Sequence, residues 1–283
     1  MNKVIYIGEL TLSVSLKPDG QAAARVGDRL TGAAMLDGEM GVPTLFVGET
    51  GADAVGDHIV AALRKANVDT TSVDRFTEGV SAVRIDAAGE TQTDAVLHSS
   101  YPPEALNPVW PRIDEGDVVV FGSYAALDPR NHARILEMVR YADARKAAVV
   151  YLPFFDPARV KAITRVMPCI FDNLEVSRMA IATVEDLAAM YPGLEPEKVY
   201  RDHIRFHCRR CLVLDRGHLT MRLYDGEASW TLGCRPSDNS ASDWTAGAIA
   251  GAVRAMAEGT TDPEGIMEAA RETAQSHLSS TLR

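Results

Sequence analysis

Thr44-Leu-Phe-Val47-Gly48-Glu-Thr-Gly51-Ala-Asp53-Ala-Val-Gly56 joins a strand pattern to a helix pattern through three glycines. A short apolar β-rich run ends at a glycine, and a helical pattern, Ala54–Ala66, begins a few residues later. The three glycines and Asp53 read as a tight turn with a helix cap. They are not the dinucleotide fingerprint, because the spacing differs and no helix starts at the first glycine. Toward the N-terminus, Val4–Ile7 is another strand-like run, ending in Gly8, and a small-residue helical pattern, Thr31–Glu39, lies between the two. The segment therefore reads β, α, β.

The alternation continues downstream. Val118–Phe121 and Ala147–Tyr151 read as strands, and Asn131–Arg145 and Pro157–Val166 as helices. After a short apolar run at Cys169–Phe171 come helical patterns at Val184–Met190 and Pro196–Arg209, then strand Cys211–Leu214. A hairpin, Leu219–Tyr224 with Ala228–Leu232, precedes helices at Asp243–Ala257 and Pro263–Ser280. The strands are apolar throughout rather than alternating, as required where helices cover both faces of a parallel sheet. The expected fold class is α/β, a doubly wound and mainly parallel sheet with helices on both faces. One segment departs from this pattern: Ser81–Ile85 and Thr91–Leu97 alternate polar with apolar residues about Asp86-Ala-Ala-Gly89. It reads as an antiparallel hairpin outside the main sheet, and such a flap covers a site or forms an interface.

Composition excludes several classes. The 283 residues are 46% hydrophobic and 24% charged, ordinary globular proportions. Net charge is −10, from 29 Lys plus Arg against 39 Asp plus Glu, which repels nucleic acid. No apolar stretch approaches the roughly 20 residues of a membrane helix, so no membrane association is expected. Met1-Asn2-Lys3 leads straight into a strand without the features of a secretion signal, and the expected location is the cytoplasm. Four cysteines are too few for a disulfide scaffold. His203, His207, Cys208 and Cys211 superficially suit zinc, but Cys208 points away from the two histidines and Cys211 begins a strand, so a tetrahedron would distort both elements.

The most informative stretch for chemistry is Ser237-Asp-Asn-Ser240-Ala241-Ser242-Asp243-Trp-Thr-Ala-Gly247. A polar, small-residue loop opens a long Ala/Gly helix, so unpaired N–H groups and the positive end of the helix dipole face the loop. Asp243 there could take a proton from a hydroxyl while the amides hold a phosphoryl group, or it could simply cap the helix.

Taken together, Gly48-x-x-Gly51-x-Asp53-x-x-Gly56 with its following helix, Asn67-Val68-Asp69-Thr70, and the heptad ending at Asp243 resemble the signatures of ribokinase-like (PfkB) carbohydrate kinases, including the bacterial fructokinases. The resemblance spans almost the whole chain and implies one domain over 1–283, with a lid contributed by about 10–30 and 81–100. It implies ATP- and Mg²⁺-dependent phosphorylation of a hydroxyl on a small sugar-like substrate. Asp243 would be the catalytic base, with Ser240, Ala241 and Ser242 as the anion hole. Carried over likewise, Ser13, Asp28 and Gly32 fall at substrate-binding positions, with Arg29 beside them. Asn173, Arg216 and Gly217 fall at nucleotide positions, and Asn173 and Glu175 at the metal position. The lid implies a homodimer. The departures are specific: serines replace glycines at 240 and 242, Ser13 replaces an acidic residue, Gly32 replaces an asparagine, and Leu152-Pro-Phe-Phe155 replaces a polar D-P-N-x-R run. They favour a rival expectation, a non-catalytic sensor of a sugar or nucleotide on the same fold.

Overall fold

The computed structural model describes residues 2–16, 19, 21–88, 93–102, 107–155, 160, 162–235 and 241–276. In chain order the first elements are β1 (Val4–Ile7), β2 (Thr11–Leu16), β3 (Ala22–Val26), α1 (Arg29–Glu39), β4 (Thr44–Gly51), α2 (Ala54–Lys65), β5 (Val68–Asp69), β6 (Val73–Phe76), β7 (Val80–Ala88) and β8 (Thr93–Ser100). Then follow β9 (Val118–Gly122), α3 (His132–Ala144), β10 (Ala148–Leu152), α4 (Met167–Glu175), β11 (Met179–Thr183), α5 (Val184–Met190) and α6 (Pro196–Val199). Last come β12 (Arg210–Asp215), β13 (Thr220–Asp225), β14 (Ala228–Gly233), α7 (Ala241–Ala257) and α8 (Pro263–Gln275).

The main sheet runs β14-β13-β12-β11-β10-β9-β1-β4-β5, with β6 also paired to β4. It is parallel from β12 to β5, and the β12–β13–β14 edge is antiparallel. Strand periodicity places Val4 and Tyr6 in one core layer with α1, α2, α7 and α8, and Ile5 and Ile7 in the other with α3, α4 and α5. Both faces being covered is why the strands are apolar at every position. Strand order reverses at β1, which lies between β9 and β4, so a crevice opens at the carboxyl ends of β1 and β9. Among the described residues no helix is long and apolar enough to cross a membrane.

A second sheet, β3-β2-β7-β8, stands apart from the first. The expected two-stranded flap is thus half of a four-stranded sheet, stabilised by β2 and β3 from the segment after β1. Its expected turn, through Gly89, falls partly outside the described residues. Other expectations differ as well: of the helix expected over Pro157–Val166, the described part holds only a 3-10 turn at Ile163–Arg165. Cys169–Phe171 lies inside helix α4, and β11, unread in the sequence, follows it. The helix expected over Pro196–Arg209 is the short α6 continued by a π turn at Tyr200–Ile204. The wider turn lets Val199, Tyr200 and Ile204 all reach the core, with the Tyr200 hydroxyl donating to the Arg209 carbonyl at 2.6 Å.

One buried acid in the α1 layer has a measurable consequence. Tyr6 donates its hydroxyl to Asp37 at 2.6 Å, and burial pushes the Asp37 carboxyl up to about 7, with the Tyr6 hydrogen bond and Arg254 opposing. An unfolded aspartate ionises near 4, so between about pH 4 and 7 the folded state keeps a proton the unfolded state releases. Stability from this group is therefore complete below about pH 4 and is lost as pH rises through 7. Asp37→Asn should remove about 1.4 kcal/mol of this loss per pH unit across that window. Urea midpoints at pH 5 and pH 8 should show the variant gaining on the wild type at the higher pH. Parallel pH profiles would refute this.

Candidate active site

The crevice is built from the ends of several elements. Gly27, with φ of 71°, turns the chain from β3 into α1, and a Cβ there would sit within 2.2 Å of Thr31. Only glycine fits that turn. It sets Asp28 as the N-cap of α1, accepting from the N–H groups of Leu30 and Thr31. Asp28 also accepts from the Ser123 hydroxyl at 2.5 Å. Ser123 follows β9 with φ 59° and ψ −172°, a region that residues with a Cβ rarely occupy, and it is buried. Strain of this kind persists where surrounding contacts hold it, and here it lies at the switch point of the sheet.

Asp28 is thus committed to the cap and to Ser123. Gly32, one turn on, offers no polar group. A Cβ at Gly32 would meet the Ala246 Cβ at 3.1 Å, so glycine lets α1 pack closely against α7. This packing brings the first turns of the two helices side by side at the carboxyl edge.

Asp243 stands in the first turn of α7. Helix geometry leaves the first N–H groups, those of Ala241, Ser242 and Asp243, without intrahelical partners, an arrangement that suits a phosphoryl group. Ala241 and Ser242 begin α7, and Ser240 falls outside the described residues. From the small sheet, Arg25 reaches Asp243, with Nη1 at 3.6 Å from Oδ1. Arg25 is paired in register with Ser13 on β2, so the Ser13 face of that sheet looks toward Asp243. At the next residue of α7, the Arg216 guanidinium lies 5.9 Å over the ring of buried Trp244. Arg216 and Gly217 form the turn between β12 and β13, near the start of α7. The structure therefore brings Ser13, Asp28, Gly32, Arg216, Gly217 and Asp243 to one end of the sheet.

Asn173 and Glu175 do not join them. Both belong to α4, and Glu175 is its last residue, ahead of the amino end of β11. Asn173 is fully buried and donates to the Ala126 carbonyl at 3.0 Å, and Glu175 pairs at the surface with His207 Nδ1 at 3.0 Å. These two side chains do not fit a Mg²⁺ ion, which takes oxygen ligands converging on one point. It is β11, not the Cys169 run, that leads into the crevice. At its carboxyl end Thr183 and Asp186 form a capping box on α5, with Thr183 N–H donating to Asp186 Oδ2 at 2.8 Å. Asp186 also pairs with Arg29 at 2.5 Å. Arg29 donates in addition to the Pro153 carbonyl and lies 5.0 Å over the Phe154 ring. Burial raises the Asp186 carboxyl above its usual range, against the opposing pull of Arg29. The apolar Pro153-Phe154 wall thus supports a buried ion pair across the crevice.

The glycine motif at Gly48–Gly56 is structural. Asp53 caps α2 by accepting from Gly56 N–H at 2.8 Å, and it accepts from the Ser81 N–H and hydroxyl at 2.8 and 2.7 Å. Burial alone would raise its carboxyl, but the hydrogen bonds of Ser81 and Gly56 prevail and hold it below the usual range. A Cβ at Gly56 would sit 2.0 Å from the Gly51 carbonyl oxygen, which explains the glycine. The motif ties β4 and α2 to the small sheet. Beyond it, buried Glu49 is held by Arg130 and by Asn131 at 3.1 Å, and Tyr101 donates to Glu9 at 2.7 Å. No cluster of three metal-ligating side chains occurs among the described residues. His203 instead stacks on Tyr191 and His207 on Phe171, and the Cys208 thiol donates to the Ser177 carbonyl at 3.4 Å. Burial pushes that thiol up to about 12.

A doubly wound sheet with a separate four-stranded sheet matches solved structures over nearly the full chain. Aminoimidazole riboside kinase from Salmonella enterica, complexed with aminoimidazole riboside and an ATP analog, superposes with a TM-score of 0.81 at 16% identity, over 97% of this chain and 91% of that one. Fructokinase from Vibrio cholerae gives 0.80 at 11% identity, over 97% and 96%. Fructokinase with bound ATP from Xylella fastidiosa gives 0.77 at 17%, over 97% and 90%. The fold is that of the ribokinase-like sugar kinases. No protein-family model matches the sequence, and no curated protein does.

The sequence shows the ribokinase-like elements that carry Asp243 but does not place Arg25, Ser123 or the Thr183/Asp186 pair at the crevice. The T-x-x-D spacing of a capping box was the available signal for the last of these.

Proposed function

We propose that the protein is a kinase that transfers the γ-phosphoryl group of ATP to a hydroxyl of a sugar-like acceptor, with Asp243 as the base. The observation that carries this reading is the position of Asp243, on the first turn of α7, reached by Arg25 of the small sheet and followed by Trp244, over whose ring Arg216 lies. The acceptor oxygen forms a bond to the γ-phosphorus as the bond to the β–γ bridging oxygen breaks. ADP departs, and the acceptor proton passes to the Asp243 carboxylate. The amides at the start of α7 face the charge that develops on the transferred group, and Arg216 lies on the side of the nucleotide. Mg²⁺ belongs to this reading as the companion of the nucleotide phosphates, not as an ion caged by Asn173 and Glu175.

The same reading takes 1–283 as one working unit, with 10–30 and 81–100 as its lid, acting in the cytoplasm on a small molecule. The lid would pair two copies through its apolar face. Leu16 and Ile85 lie on the side of the small sheet opposite Ser13 and are 40% and 38% exposed. Ile85→Asp should convert a dimer to a monomer in light scattering at micromolar concentration. A wild type that is already monomeric there would refute the lid dimer.

The non-catalytic reading is favoured by Asp28 and Gly32, whose roles in capping and helix packing leave fewer groups for an acceptor. The deciding experiment measures ADP release with ATP and Mg²⁺ across sugars, nucleosides and sugar phosphates. Acceptor-dependent release supports the kinase. Ligand-induced thermal stabilisation with no release supports the sensor.

A further inference from the structure

We propose that the acceptor carries an anionic group, a phosphate or a carboxylate, held over Ser13 between Arg25 and Arg84. This inference rests on the kinase reading for the word acceptor, but the binding it describes can be tested by itself. Ser13 on β2 is in register with Arg25 on β3 and with Arg84 on β7. Neighbouring strands lie about 5 Å apart and in-register residues share a face, so Arg25 and Arg84 flank Ser13 in one row. Arg25 shows where that face points, because it reaches the Asp243 carboxylate on α7. The side chains of Arg25 and Arg84 are 32% and 24% exposed, open enough for a ligand and sheltered enough for charge to count.

Among the described residues, the carboxylates of Asp86 and Asp243 face the row. Asp86, two residues along β7, accepts from Arg84 Nε at 3.0 Å, and Asp243 approaches Arg25 from α7. A bound acceptor would draw the second one away. Asp243 must turn its carboxylate to the reacting hydroxyl, and an anionic group on the same molecule then takes its place beside Arg25. A neutral sugar would leave that exchange uncompensated. It would also meet one serine hydroxyl where two vicinal hydroxyls call for a carboxylate with two oxygens. Phosphate and carboxylate oxygens, in contrast, match guanidinium forks and a serine donor. The row stands in a chain of net charge −10, so its cations oppose the general field of the protein rather than follow from it.

The test compares fructose 6-phosphate and ribose 5-phosphate with gluconate, fructose and ribose, reading affinity by calorimetry and ADP release with ATP and Mg²⁺. The wild type should bind at least one anionic probe about tenfold or more tightly than its neutral counterpart. Arg84→Ala should weaken that probe by about 10- to 100-fold, chiefly in KM rather than kcat, and Arg84→Lys should recover part of the loss. Preference among the three anions separates phosphate from carboxylate. Equal or tighter binding of neutral sugars, no binding of any anionic probe, or an Arg84→Ala variant with unchanged affinity would each overturn the inference. Anion binding lost in Arg84→Ala but without ADP release would keep the inference and defeat the kinase reading. ADP release with neutral sugars alone would do the reverse. Circular dichroism of Arg84→Ala and the response of Arg84→Lys distinguish a lost contact from a lost fold.

Discussion

Asp243→Asn should lower acceptor-dependent kcat by about 10²- to 10⁴-fold, the usual contribution of a positioned general base. Asparagine has nearly the same shape and can still accept a hydrogen bond, so the start of α7 should persist. The charge lost from the first turn is worth only about 0.3 to 1 kcal/mol. Nucleotide affinity should change little, because the α7 amides belong to the backbone. This separates the base reading from the capping reading: a cap would show its effect in melting temperature, a base in kcat. Turnover that survives the substitution, or a large fall in stability with kcat per folded molecule intact, would remove Asp243 from the chemistry. The measurement is an ADP-coupled assay on both proteins with the best acceptor, beside thermal unfolding.

The second large effect concerns the ion pair that spans the crevice. Arg29→Ala should destabilise the protein by about 3 to 5 kcal/mol, since it leaves the Asp186 carboxyl buried without its charge partner. The side chains of Arg29 and Asp186 are 12% and 6% exposed, so water cannot replace the guanidinium cheaply. Removal also costs the contact over Phe154 and the hydrogen bond to Pro153. A companion variant makes the cause visible. Asp186→Asn combined with Arg29→Ala should recover part of the loss, because the neutral amide removes the buried charge while Thr183 still caps α5. Urea midpoints of the single and double variants measure this directly. A single variant within about 1 kcal/mol of the wild type would show that solvent reaches Asp186 and that the pair is a surface feature.

Much of the architecture was legible because it depends on local periodicity. Short apolar runs, three of them (β1, β4 and β9) closing on a glycine, identify strands covered on both faces, and the observed sheet follows that reading from β1 through β4, β9, β10 and β12. The run at β11 was not legible. Met179-Ala-Ile-Ala-Thr183 carries two alanines and a methionine, residues equally at home in a helix, and it is held as a strand by burial between β10 and β12. The expected metal pair, carried over by residue match alone, falls on α4, where Asn173 and Glu175 face different surroundings from Asp243. The flap was legible by its alternation, but not its partners: β2 and β3 are polar or alanine-rich and become strands through pairing with β7.

The layered α/β plan, the capped turn at Gly51–Gly56 and the offset that puts Asp243 at the start of a small-residue helix follow from local sequence. Each is set by residues within one or two turns of each other, where steric limits and hydrogen-bond geometry act directly. What surrounds Asp243 comes from tertiary contacts. Arg29 meets Asp186 across 157 positions of chain, and Ser123 meets Asp28 across 95. Arg25, Ser13 and Arg84 form a row only because β2 pairs with β3 and β7 in one particular register. Strand register and helix crossing set these meetings, and a shift of one residue would turn every side chain of the row to the opposite face.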